Sequence, residues 1–309
     1  MSMEDIACKL IDMNPAPIPR YILLKEFLGG EDTAEAYQAA AGHPHVEKLV
    51  KMQTPDGCWP SFHGETEAKV RTLISYSLDE SHPSLGSAAE FMRKVLRGED
   101  AWHQRAEKQD NPRWWFEMFM PLVTAAMLSL IAPNDPLVKA QQEIWLPFAQ
   151  QAFKKGFYDH DAEAAAHREF FGFKTKVTAR IYCYYSALLL TAADIIPGEL
   201  DALMFEHYMS KADGMYYIYN KPASVPVPMD NVHDAYHWLR LLMILSRFKA
   251  WEERKDKYID WLMSQKNARG LWDFIKRPYG SVFPFSDSWR MENDRIIDSS
   301  IFVMRLLKG

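Results

Sequence analysis

Apolar residues recur at helical spacing along most of the chain, and two kinds of segment alternate. One kind is amphipathic and built from good helix formers, as in Val46 to Met52, Leu137 to Phe153, Leu200 to Met209 and Lys257 to Gln265. The other is apolar on most faces: Ala68 to Leu78, Trp114 to Ile131, Val177 to Ile195, Ala235 to Phe248 and Ile296 to Leu307. A helix apolar all round belongs in the interior. Strand signals are few. The one extended run, Tyr216 to Met229, is broken by Pro222, Pro226 and Pro228 and reads as a loop. Helix starts are marked by Pro19, Pro136 and Pro197 near first turns, by Ser84 after Pro83, and by Asp230 or Asn231 as a cap.

Between the two kinds of helix stands a recurring turn phrase of Gly, any residue, then an aromatic. It is fullest in Gln53-Thr54-Pro55-Asp56-Gly57-Cys58-Trp59 and returns at Gly156-Phe157-Tyr158, at Gly214-Met215-Tyr216 and at Gly270-Leu271-Trp272. These glycines lie 99, 58 and 56 residues apart, and the long interval holds two units with a degenerate copy near Gly98 and Trp102. A period in the fifties signals a repeat architecture. An N-terminal outer helix (Met3 to Met13) and an inner one (Arg20 to Phe27) bring the total to about six inner and six outer helices. The predicted fold is all-α, a single (α/α)6 toroid of about twelve helices spanning residues 1–309. The N-terminal ends of its inner helices would share one rim, and a site is expected there.

Composition narrows the function. At 48% hydrophobic and 25% charged, the chain buries a large core and is not a disordered or low-complexity protein. A formal charge of −5 carries no basic footprint, which argues against nucleic acid as a partner. The stretch from Met118 to Ala132 is too short for a membrane span and contains Pro121, and Glu4, Asp5 and Lys9 interrupt the N-terminus before a secretory signal forms. Cys8, Cys58 and Cys183 lack metal-site spacing and fit a reducing compartment, so the expected localisation is cytoplasmic.

The densest chemical string is Asp230-Asn231-Val232-His233-Asp234-Ala235-Tyr236-His237. Helical spacing sets Asp230, His233 or Asp234, and His237 along one face, where they could converge on a divalent metal, the one cofactor the chain suggests. The same residues equally serve as a helix cap and hydrogen-bonded rim groups. Asp294 and Asp298 form an i, i+4 pair at the start of the last inner helix, suited to acid/base work or, with Arg290 and Arg295, to a salt-bridged N-terminus. Cations on other inner-helix starts, Arg71 and Arg180 foremost, with Arg113, Lys174 and Lys176, would hold an anionic ligand. Trp114, Tyr182, Tyr236 and Trp289 are the aromatic candidates for a cavity wall.

The phrase from Gln53 to Trp59 resembles the QW-type repeat of squalene-hopene cyclases and protein prenyltransferase β subunits. The end of the chain, Gln265 to Trp272 followed by Ser286-Asp287-Ser288-Trp289-Arg290 and an apolar helix, is similar to the same superfamily. The resemblance implies an α/α toroid and chemistry on prenyl or polyene substrates. Cyclases of this kind protonate their substrate with an Asp-x-Asp-Asp acid, and the nearest string here is Asp159-His160-Asp161-Ala162-Glu163, which also reads as a solvated acidic loop. Prenyltransferases use a zinc held by Asp, Cys and His, and no Asp-x-Cys opens an inner helix here. Trp59 and Trp272 are expected to be packing residues that clamp neighbouring repeats. The reading favours an enzyme of the terpenoid cyclase/prenyltransferase-like class acting on a hydrophobic, prenyl or aromatic small molecule by acid/base or electrophilic chemistry. Two alternatives stay open: a carbohydrate-processing (α/α)6 enzyme, a glycoside hydrolase or lyase, and a non-catalytic binding or scaffold toroid.

Overall fold

A computed structural model of the chain describes residues 2–30, 33–60, 63–100, 102, 112–172, 183–215, 218–229, 232–274 and 284–308, with only the backbone described at His63, Val232 and His233. The described residues are all-helical: fifteen α-helices, two π turns, no strand, and one isolated bridge between Met215 and Tyr219. In chain order the helices are α1 (Met3–Ile11), α2 (Pro17–Leu23), α3 (Thr33–Ala41), α4 (Pro44–Met52) and α5 (His63–Ser75). Then come α6 (Pro83–Leu96), α7 (Met120–Ile131), α8 (Pro136–Phe153), α9 (His160–Phe171) and α10 (Tyr184–Leu190). The last are α11 (Gly198–Ser210), α12 (Val232–Leu245), α13 (Trp251–Arg254), α14 (Asp256–Ser264) and α15 (Glu292–Lys308). Helix α2 continues into a π turn at Leu24–Leu28, and a second π turn at Trp114–Phe119 leads into α7.

The expected helices are all present in their described parts, and the count exceeds twelve because short helices fill the connections. The acidic string at Asp159 differs most from expectation. It opens α9, with Asp159 Oδ1 accepting the N–H of Asp161 at 2.9 Å and of Ala162 at 3.2 Å, while Glu163 turns inward and is fully buried. A carboxylate at the N-cap satisfies amides that would otherwise be orphaned, so the acidic loop becomes a first turn.

The apolar segments form the centre. Helix α5 packs on α7, α7 on α10, α10 on α12, α12 on α15, and α15 on α2. The amphipathic helices lie against them, as α3 does on α2, α6 on α7, and α8 on α7 and α10. Helix α7 is buried along nearly its whole length. Together with the turn before it, it makes an eighteen-residue stretch, Trp114–Ile131, long and apolar enough to cross a membrane, of which 78% lies buried inside the protein.

The two ends of the chain are stitched together. Lys9 Nζ donates to the carbonyl of Arg269 at 2.5 Å, His43 Nε2 meets Asp287 at 2.8 Å, and Arg305 grips Glu26.

The turn phrase is one repeated piece of backbone. Gly57, Gly98, Gly156, Gly214 and Gly270 are all left-handed, with φ between 65° and 96°. Each donates its N–H to the carbonyl three residues earlier. The first and last copies match further: Trp59 Nε1 donates to Leu49 O at 2.9 Å, and Trp272 Nε1 donates to Leu262 O at 2.7 Å. Their backbone amides reach the hydroxyls of Thr66 on α5 and Ser300 on α15, respectively. Trp59 thus ties α4 to α5 and Trp272 ties α14 to α15, and both are at most 1% exposed.

Candidate ligand-binding cavity

A cavity of about 380 Å³ opens between the inner segments. Its polar wall is Glu26 from the π turn after α2, Arg71, Thr72 and Ser75 from α5, Tyr236 and Arg240 from α12, and Arg305 from α15. Ala68, Ile74, Leu130, Met243 and Phe302 supply the apolar wall. The contributing residues come from the second turn onward of α5 and α12 and from the C-terminal halves of α7 and α15, set in from the helix starts where a site is expected from the sequence.

The three arginines differ in what already holds them. Arg305 donates from Nε at 2.9 Å and Nη2 at 2.6 Å to the two oxygens of Glu26, and Nη2 also reaches Ser77 Oγ at 2.9 Å. Ser77 donates to Glu26 in turn, from a left-handed backbone at φ 61°. Burial alone would raise the Glu26 carboxyl, but Arg305 and Ser77 together hold it below the usual range. Lys308 on the same helix donates to the Glu26 carbonyl. This corner is a satisfied knot.

Arg71 is held more loosely. Its Nε lies 3.6 Å from Glu67 Oε1 without a hydrogen bond, and its guanidinium sits over the ring of Tyr184, 5.8 Å from the centroid. Glu67 is buried and accepts a 2.6 Å bond from Tyr185 Oη. Burial, with Glu67 alongside, pushes the Tyr185 phenol well above its ordinary value, so Tyr185 acts as a hydrogen-bond donor. Burial likewise raises Tyr236 to about 12, against the pull of Arg71. Arg240 lies one turn beyond Tyr236 on α12 and has no ion-pair or hydrogen-bond partner among the described residues.

Of the residues singled out from the sequence, Arg71 and Tyr236 line this cavity together. His237 packs its ring edge-on to Tyr236, 5.3 Å between centroids, and Asp234 pairs with Lys221 at 2.6 Å. Asp230, Arg180 and Tyr182 lie outside the described residues, as does the side chain of His233. Among the described residues no group of three or more His, Cys, Asp or Glu side chains comes together to hold a metal. Trp114 is 1% exposed and stacks on Phe119 at 4.8 Å, inside the core rather than on the cavity wall.

The Asp294/Asp298 pair is split in role. Asp298 is fully buried and accepts from the amides of Phe285 and Ser286, from Ser286 Oγ at 2.6 Å and from Trp289 Nε1 at 2.6 Å. It pins the segment preceding α15, and Trp289 is one of its donors rather than a wall residue. Burial raises its carboxyl to about 6, while these donors pull the other way. Asp294 is only partly buried and also raised, by burial first and Asp287 second. Arg295 pairs with Asp273 at 3.2 Å instead of neutralising either acid.

Three charged wall residues were not singled out from the sequence: Glu26, Arg240 and Arg305. The signal for the two arginines is a single cation within an apolar stretch, Trp238 to Leu245 for Arg240 and Ile301 to Leu307 for Arg305, since a guanidinium there must find a counter-charge or a ligand. Glu26 had no comparable mark. Compared with known protein families, curated proteins and solved structures, the chain matches none of them.

Proposed function

We propose that the helices close into a single (α/α)6 toroid and that its central cavity takes a small molecule with an apolar body and an anionic part, as an enzyme of the terpenoid cyclase/prenyltransferase-like class would. The observation that carries this reading is the cavity shared by α2, α5, α7, α12 and α15, with Arg71, Tyr236 and Arg240 set among apolar side chains. The order of helix contacts from α5 through α7, α10, α12 and α15 to α2 supports the closed ring. The seam at Lys9, Glu26 and His43 supports it as well. Pockets of a few hundred Å³ with a few polar groups among apolar ones are the usual form of small-molecule sites.

The same wall argues against carbohydrate processing at this cavity, because Glu26, its one carboxylate among the described residues, is spent on Arg305. It also favours one particular companion reading, binding without turnover, for the same lack of a spare acid or base. Native mass spectrometry of the purified protein, with and without denaturation, tests the reading. The expected result is a co-purified compound that a cavity-filling Met243→Trp variant loses; a compound retained in full by that folded variant would move the site elsewhere.

A further inference from the structure

We infer that the ligand of this cavity is a monocarboxylic amphiphile, a single carboxylate on an apolar body, held at its head by Arg240 and Arg71. The inference rests on reading the cavity as a small-molecule site and specifies what that site selects.

Charge decides it. Among the described residues three guanidiniums line the cavity. Glu26 neutralises that of Arg305 through two hydrogen bonds. Glu67, 3.6 Å behind Arg71, offsets a second while spending one oxygen on Tyr185. One positive charge remains, and it belongs to Arg240, which has no partner among the described residues. A partly buried arginine on a wall that also holds Met243 and Phe302 is costly to leave without a counter-charge.

A monocarboxylate restores neutrality, and its planar pair of oxygens matches the fork of a guanidinium. A phosphate monoester brings about two negative charges at neutral pH, and a diphosphate brings more. Either would overfill the wall, and Glu26, the one carboxylate there among the described residues, is not spare to hold a divalent cation that could offset the excess. A neutral alcohol leaves Arg240 uncompensated. The apolar body would lie along Ile74, Leu130, Met243 and Phe302.

The test is calorimetric titration of the full-length protein with decanoate, decanol, decyl phosphate and geranyl diphosphate. Decanoate is expected to bind about tenfold or more tighter than each of the other three, and Arg240→Met to remove its advantage over decanol. Equal affinity for decanol and decanoate, or tighter binding of either phosphorylated probe, overturns the carboxylate inference but keeps the cavity. If no probe binds, or if Met243→Trp binds them all unchanged, the cavity reading itself fails and this inference falls with it.

Discussion

Arg305 and Glu26, 279 residues apart, share two hydrogen bonds of 2.9 and 2.6 Å that fasten the last helix to the end of α2 and form one corner of the cavity. Because the folded state holds the Glu26 carboxyl below its ordinary value of 4.5, the pair's stabilisation is fully present above that pH and is lost as pH falls through the lower folded value. Glu26→Gln should cost about 2 kcal/mol at neutral pH, the scale of hydrogen bonds to charged groups. Denaturant titrations at neutral and acid pH check it: the gap between wild type and variant should close on acidification, and a constant gap would contradict the assignment.

Asp298 works in the opposite sense. Its folded carboxyl is raised from 3.8 to about 6, so its contribution is fully present below 3.8 and lost as pH rises through about 6. The size is of order 3 kcal/mol across that window. Carbon-detected NMR titration should find a carboxyl titrating near 6 that vanishes in Asp298→Asn; a midpoint near the ordinary aspartate value would show that the four donors outweigh burial.

Trp59 and Trp272 each donate an indole hydrogen bond to the carbonyl ten residues earlier. Replacing either with Phe keeps most of the buried area and removes one hydrogen bond, at about 1 kcal/mol each. The two sites lie in different repeats and share no contact, so the losses should add. Urea midpoints of the two single variants and the double variant measure this, and strong non-additivity would mean that the repeats are coupled through the seam.

Gly57 and Gly98 share a left-handed backbone but not their surroundings. A Cβ at Gly57 would stand 2.3 Å from the carbonyl oxygen of Ser87, whereas one at Gly98 would meet nothing within 4 Å. Gly98→Ala should therefore cost roughly 1 kcal/mol, the left-handed penalty alone, and Gly57→Ala well above about 2 kcal/mol. Thermal unfolding of the two variants decides it, and equal losses would rule out the close approach at Ser87.

Much of the architecture was legible because its causes are local. The apolar run from Trp114 to Ile131 and the left-handed glycines announce a buried helix and a turn whatever surrounds them. The site was less legible. In the sequence Asp298 reads as half of an acid/base pair or of a salt-bridged helix start, and it is instead a fourfold acceptor, because only folding brings Phe285, Ser286 and Trp289 around it. Arg71 and Tyr236 were named because a cation and an aromatic near the start of an apolar helix are conspicuous. Glu26 was missed because its role is created by a residue 279 positions away.

The sequence by itself determined the helical class, the alternation of apolar and amphipathic helices and the repeated turn, since periodicity and glycine conformation act within a few residues. Only the tertiary structure decided which charges are spent and which are not. Asp298 is consumed by a loop, Arg305 by Glu26, and Arg71 in part by Glu67, while Arg240 is left facing the cavity. The reason is physical: what a charged group does is set by its partners and its burial, and both come from residues distant in the chain.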